Sequence, residues 1–183
     1  MKILSGEFKG RLIHRQPSPN LRPTTDKVRQ AIFNTLQGLI KDRRVLDLFA
    51  GTGALGFEAL SLGASSVLWV EQDRSQIAGI EKTIEDLGLQ ARGKILSGDV
   101  FKVLERITDD GEVFDFIFLD PPYKSGLGVT ALAQIAKTSL YDKNTILVLE
   151  THDTEDPPQV FGKLACIKTR VHGDTKVSFY RVA

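Results

Sequence analysis

Asp120-Pro121-Pro122-Tyr123 follows directly on the apolar run Phe116-Ile117-Phe118-Leu119, and its residues together suit the holding of a flat, amino-bearing ring. An ionised carboxylate only accepts hydrogen bonds, so Asp120 is a ready partner for an exocyclic NH2. The Pro-Pro step carries no backbone N–H, which leaves carbonyls to accept from that same amine. Tyr123 offers a ring on which a base can stack, an interaction worth about 1–3 kcal/mol. Upstream, Asp47-Leu48-Phe49-Ala50-Gly51-Thr52-Gly53-Ala54-Leu55-Gly56 forms a second cluster. Gly51 and Gly53 let the backbone turn tightly and approach a ligand with no Cβ in the way. Gly51-x-Gly53-x-x-Gly56, with Glu71 about 20 residues on, matches the dinucleotide pattern, which alone does not separate NAD from S-adenosylmethionine.

The acids tilt that choice. Asp47 precedes Gly51 at the end of an expected strand, where its charge repels a pyrophosphate and suits a ligand carrying an ammonium and a sulfonium. Glu71 ends the next strand and can bridge two ribose hydroxyls, while Asp99 follows the third and can accept from an adenine amine or its surroundings. Each also has a plainer reading: Asp47 as a cap, Glu71 as a solvated strand end, Asp120 as a turn acid before proline. Three acids after three successive strands, beside the glycines, favour a ligand site, because open α/β sheets bind at their C-terminal strand ends. The chemistry expected is methyl transfer to a nucleobase amine. Asp120 and the Pro121 carbonyl would aim the nitrogen and Tyr123 would stack on the extruded base. No metal is required, and His14, His152 and His172 show no metal-ligand spacing.

The length of 183 residues predicts one domain with a small extension, divided at 1–23 and 24–183. The single cysteine, Cys166, excludes an internal disulfide, and no stretch reaches the ~18 apolar residues of a membrane span. A cytoplasmic protein is expected. The net charge of +1 hides an asymmetry: residues 1–29 hold seven Lys/Arg against Glu7 and Asp26, a balance of +5, which leaves −4 for the rest. A basic arm on a mildly acidic body suits a polyanionic partner, and a solvated basic face is its plainer reading.

These sites need strands and helices to carry them. Residues 1–14 predict a hairpin and Gln16–Pro23 a loop. Thr24 or Thr25 can cap a helix with Val28, Ala31, Ile32, Leu36, Leu39 and Ile40 on its apolar face. From Arg43 strands and helices alternate: strands at Val45–Phe49, Val67–Val70, Lys94–Leu96, Phe114–Leu119 and Thr145–Leu149. Helices are expected at Ala54–Leu62, Arg74–Leu87, Val100–Ile107 and Val129–Ser139. Such alternation predicts a parallel sheet covered on both faces. Lys163–Val171 and Lys176–Val182 flank a turn at His172–Thr175 and predict a closing antiparallel hairpin. Trp69 is expected in the core, and Cys166 as a small buried hydrophobe.

Asp47-x-Phe49-x-Gly51-x-Gly53, Glu71, Asp99 and Asp120–Tyr123 resemble the motifs of class I S-adenosylmethionine-dependent methyltransferases acting on exocyclic amines. More narrowly, Ser5-Gly6-Glu7-Phe8-Lys9-Gly10-Arg11, Arg22-Pro23-Thr24-Thr25-Asp26-Lys27-Val28-Arg29 and Gly173–Arg181 resemble the RsmD family. The resemblance implies a Rossmann-like fold with a seven-stranded, mostly parallel sheet, a C-terminal antiparallel hairpin and an N-terminal β-hairpin extension. It implies transfer to N2 of a guanine in small-subunit (16S) ribosomal RNA, naked or in an assembled ribonucleoprotein particle, by a monomer. Asp47, Phe49, Gly51, Gly53, Glu71 and Asp99 would hold S-adenosyl-L-methionine, and Asp120 to Tyr123 the guanine. Lys9, Arg11, Arg22, Thr24, Thr25 and Arg29 would face the RNA, although Arg29 can also pair with a helix acid. The amine-holding corner alone also permits adenine N6 or a protein glutamine as target; an NAD-dependent oxidoreductase would leave Asp120–Tyr123 without a task.

Overall fold

In the computed structural model, which describes residues 1–16, 24–122 and 125–183, five parallel strands form one side of a single sheet. They are β1 (Arg44–Leu48), β2 (Ser66–Glu71), β3 (Gly93–Ser97), β4 (Phe116–Leu119) and β5 (Ile146–His152). Helices α1 (Asp26–Thr35), α2 (Ala54–Ser61), α3 (Arg74–Leu87), α4 (Val100–Asp109) and α5 (Leu127–Ile135) cover its faces. Short strand β6 (Val160–Phe161) and the long hairpin β7 (Leu164–His172) and β8 (Thr175–Val182) complete it. The order is β3-β2-β1-β4-β5-β8-β7-β6. The seven expected strands are joined by an eighth, two-residue strand on the β7 edge, too short to leave an alternating pattern.

The strands read as continuous apolar runs because both faces are buried. Along β4, Phe116 and Phe118 enter one core with α1, α2 and α3. Ile117 and Leu119 enter the other, with α4 and α5. Trp69 lies wholly in the first core, and its Nε1 donates to the Gly53 carbonyl at 3.1 Å. That ring explains Gly56: a Cβ there would stand 2.2 Å from Nε1. The third glycine of the motif is thus a packing requirement of α2 on β2.

The expected N-terminal hairpin closes on a single antiparallel bridge, Lys2 to Leu12. It is stitched to α2 instead of pairing further: Leu4 N–H donates to Glu58 Oε1 at 2.7 Å and Glu7 N–H to the Ser61 carbonyl at 2.8 Å. Ile3 and Ile13 sit in the first core. Thr25, not Thr24, caps α1, accepting from Val28 N–H at 3.3 Å. The helix stops at Thr35, so Leu36 and Ile40 stay buried while Leu39, expected on the same face, points outward. Cys166 is half-buried, not buried, because the β7–β8 register shifts between Cys166 and Lys168 and turns the strand there.

Candidate active site

The chain runs outward from β1 to β2 and β3, then crosses back to place β4 on the other side of β1. Such a switch point leaves a crevice at the C-terminal strand ends. Leu48 of β1 pairs with Leu119 of β4, so the glycine turn after β1 and the Asp120 corner after β4 emerge side by side. Between them opens a cleft of about 620 Å³, within the usual range for small-molecule sites. Asp47, Phe49, Gly51, Glu71, Asp99 and Asp120 all line it, together with Thr24, Asp73, Pro121 and Pro122. Gly53, expected among them, sits just behind the turn as the left-handed N-cap of α2, at φ 73.

The turn is wound unusually tightly. Gly51 has φ 52, and Phe49, with a full side chain, has φ 58. A left-handed non-glycine residue costs of order 1–3 kcal/mol and persists only where its surroundings impose it. Glu71 is one such constraint: its Oε2 accepts from Gly51 N–H at 2.6 Å, and its Oε1 from Gln72 and Asp73 N–H at 2.8 Å each. Glu71 therefore shapes the turn as well as facing the cleft. Asp99 caps α4, its Oδ1 accepting from Phe101 and Lys102 N–H at 3.1 and 3.2 Å. Asp47 is buried and accepts from Gly56 N–H at 3.0 Å through Oδ2. The plainer reading of Asp47 as a cap holds alongside its place in the cleft wall, and Asp99 is a cap as well.

Electrostatically the cleft is one-sided. Asp47, Glu71, Asp73, Asp99 and Asp120 line it, and no Lys, Arg or His does among the described residues. Burial pushes the Asp47 carboxyl well above its ordinary range, the Gly56 hydrogen bond opposes this, and the Asp120 and Glu71 charges add to it. Asp120 is pushed up to about 6 by burial, with Thr24 working against it. Such a wall repels a pyrophosphate and favours a cation. S-Adenosyl-L-methionine, with an ammonium and a sulfonium, fits this donor set; NAD does not.

Thr24, expected at the RNA, turns inward. Its Oγ1 donates to Asp120 Oδ2 and lies 3.4 Å from Glu150 Oε1. Thr25 is occupied as the α1 cap. Arg29 is a correction. Its side chain is wholly buried, with Nη2 donating to the Lys2 carbonyl at 2.8 Å and to Asp26 Oδ1 at 3.0 Å. Nε lies 3.4 Å from Glu58 Oε1. It locks the N-terminal segment to α1 and α2 and has no guanidinium edge to offer a nucleic acid. Lys9 and Arg11 are exposed, Arg11 resting on the Asp86 carbonyl at 3.2 Å. Arg22, Tyr123 and most of the loop from Gln16 to Pro23 lie outside the described residues.

One functional candidate escaped the sequence. Glu150, on β5, is 1 % exposed, and its Oε2 has no hydrogen-bond partner among the described residues. Its signal was an acid ending the apolar run Leu147-Val148-Leu149, as Asp120 ends that of β4. Also among the described residues, no cluster of three or more His, Cys, Asp and Glu side chains is placed to hold a metal ion, and no helix is long and apolar enough to cross a membrane.

A family model described as Conserved hypothetical protein 95 matches residues 1–181. The chain is 34% identical over 148 residues to the Ribosomal RNA small subunit methyltransferase D of Buchnera aphidicola subsp. Acyrthosiphon pisum, covering 81% of this chain and 76% of that protein. With the Escherichia coli K12 protein of the same name it shares 29% over 181 residues, 99% of this chain and 89% of that one. A solved structure from Thermus thermophilus, titled only as a hypothetical protein, superposes with a TM-score of 0.83 at 26% identity, covering 100% and 99% of the two chains. With fold, cleft and motif order in agreement, the chain belongs to the RsmD family of methyltransferases, the family described as Conserved hypothetical protein 95.

Proposed function

We propose that the cleft binds S-adenosyl-L-methionine and that the protein methylates the exocyclic N2 amine of a guanine in small-subunit ribosomal RNA. The observation that carries this reading is the placement of Asp120 and the Pro-Pro step on the rim of an acid-lined cleft beside Asp47. The relatives named as small-subunit rRNA methyltransferases support the RNA as substrate. The cofactor supplies an electron-poor methyl group on sulfur. Its ammonium end suits Asp47 and the Gly51 turn, its ribose Glu71, and its adenine the neighbourhood of Asp99.

A guanine amine is a weak nucleophile because its lone pair is spread into the ring. Accepting its two N–H groups at Asp120 and the Pro121 carbonyl localises that pair and gives it a direction. Alignment of this kind can supply roughly 7–11 kcal/mol of a barrier. With the cofactor held there, the N–C bond would form as the S–C bond breaks, the sulfur would leave as a neutral thioether, and the positive charge developing on nitrogen next to Asp120 would be discharged by loss of one amine proton. That carboxylate is then held more favourably in the transition state than before it. Tyr123 is proposed to stack on the extruded base. Lys9, Arg11 and Arg22 are the proposed phosphate contacts, and the protein is proposed to act in the cytoplasm as a monomer.

The test is labelled methyl transfer to small-subunit RNA, free and in particles, from cells lacking the protein, followed by nucleoside identification. Label in N2-methylguanosine is expected. Label in N6-methyladenosine, or in protein glutamine, would replace this reading.

A further inference from the structure

Resting on that reading, one buried acid has no task in the transfer as described. Glu150 stands one step beyond the Leu119–Leu149 pairing of β4 with β5, beside Asp120. Thr24 lies between the two carboxyl groups, its Oγ1 bonded to Asp120 Oδ2 and 3.4 Å from Glu150 Oε1. A threonine hydroxyl has one proton and two lone pairs. Once that proton is given to Asp120, the approach to Glu150 becomes a second full hydrogen bond only if Glu150 supplies a proton of its own. The burial of Glu150 agrees, since an ionised carboxylate with an unpartnered buried oxygen is costly.

We infer that Glu150 is a positioning residue: as a carboxylic acid it donates to Thr24, which donates to Asp120 Oδ2, leaving Asp120 Oδ1 for the target amine. The chain of hydrogen bonds fixes which Asp120 oxygen meets the substrate and in what orientation. The charges around it favour the same assignment of protons. Asp120, Asp47 of the β1 end and Glu71 of the β2 end surround the cleft side, and Glu155, after β5, lines the crevice behind Glu150. No Lys, Arg or His lines either space among the described residues. Burial, then the Asp120 charge, push Glu150 well above its ordinary range, with Thr24 opposing and Asp47 adding. Asp120, which takes the short hydrogen bond from Thr24 while Glu150 has only the 3.4 Å approach, is the member of the pair whose ionised form is better supported.

Glutamine reproduces the neutral acid, because its NH2 donates and its carbonyl accepts; alanine removes the donor. Glu150→Gln is therefore expected to keep kcat close to that of the unaltered enzyme. Glu150→Ala should lose about 10- to 100-fold in kcat, the scale of a small misplacement at a reacting centre, with KM for the cofactor unchanged. Thr24→Val, which withdraws the donor from Asp120, should move the acid limb of kcat/KM to higher pH, and Glu150→Gln should leave it in place. An isotope-edited infrared band of a protonated carboxyl at neutral pH, missing in Glu150→Gln, reads the protonation state without any turnover. The inference is overturned if Glu150→Gln is as impaired as Glu150→Ala, which would require the ionised form, or if Glu150→Ala keeps full kcat. It is overturned equally if the infrared band is absent. The functional reading fails separately, through an unaltered enzyme that puts no label into guanine, and the infrared result stands whichever way that experiment falls.

Discussion

Two clusters of charge, one around the buried Arg29 and one at the strand ends, are built on opposite rules. Around Arg29, unlike charges meet: Asp26 and Glu58 answer the guanidinium, and the Lys2 carbonyl takes a further N–H. At the strand ends, acid meets acid: Asp47 and Asp120 line a cleft with no cation among its described residues, and Glu150 stands beside Asp120 on the far side of it. The first arrangement pairs its charges, with Arg29 Nε left only the 3.4 Å approach to Glu58 among the described residues, and neither Arg29 nor Glu58 lines the cleft. The second leaves its members under-compensated and opens on a cavity. Buried acids paired with a cation read as architecture, and buried acids without one, on the wall of a cleft, read as a place kept for a cationic or amine-bearing ligand.

The contrast is sharpest in what single substitutions do. Asp120→Ala should abolish methyl transfer, a loss of at least about 10²–10³ in kcat as for a removed transition-state hydrogen-bonding group, while calorimetry still detects cofactor binding. Arg29→Ala should do the reverse, costing about 3–5 kcal/mol of stability because Glu58 is left buried and unpaired; chemical denaturation of the variant measures it. An Arg29→Ala protein of ordinary stability with weakened RNA binding would return Arg29 to the nucleic-acid surface.

A smaller effect separates the clusters by pH. Carboxyl groups whose folded pKa is raised bind more protons folded than unfolded, so stability falls as pH rises through that window. For Asp120 the window runs from about 4, its unfolded value, to about 6. Asp120→Asn should flatten that fall and raise Tm at neutral pH, by about 2–4 °C per kcal/mol recovered; thermal melts across pH check it. Glu58 is also raised by burial, with the Leu4 hydrogen bond and the Arg29 charge opposing, but amidating it leaves Arg29 buried without its partner, so Glu58→Gln should lower Tm where Asp120→Asn raises it. Weakest of all, replacing exposed Lys9 and Arg11 should lower the salt slope of RNA binding by about 1 for each phosphate no longer neutralised, read by titration at several ionic strengths.

Much of this was legible in the residues. The parallel strands announce themselves as apolar runs because both faces are covered, and Asp47, Gly51 and Asp120 mark the ends that face the cleft. Arg29 misleads because a count of charge along the chain carries no information on burial: the same basic residue serves an arm or a core. Glu150 hides because a lone acid after Leu149 looks like any strand end until β4 is known to lie beside β5. The two-residue β6 and the shift after Cys166 depend on pairing across strands, which spacing along one strand does not encode.

The acid-lined corner, on this reading, exists for the amine and not for the fold. Cofactor affinity, melting temperature and single-turnover methyl transfer, measured on one preparation of Asp120→Ala, decide between the two. Binding should be retained, the melting temperature should be equal or higher, and transfer should be gone. Transfer preserved, or transfer lost only in step with unfolding, would contradict the assignment.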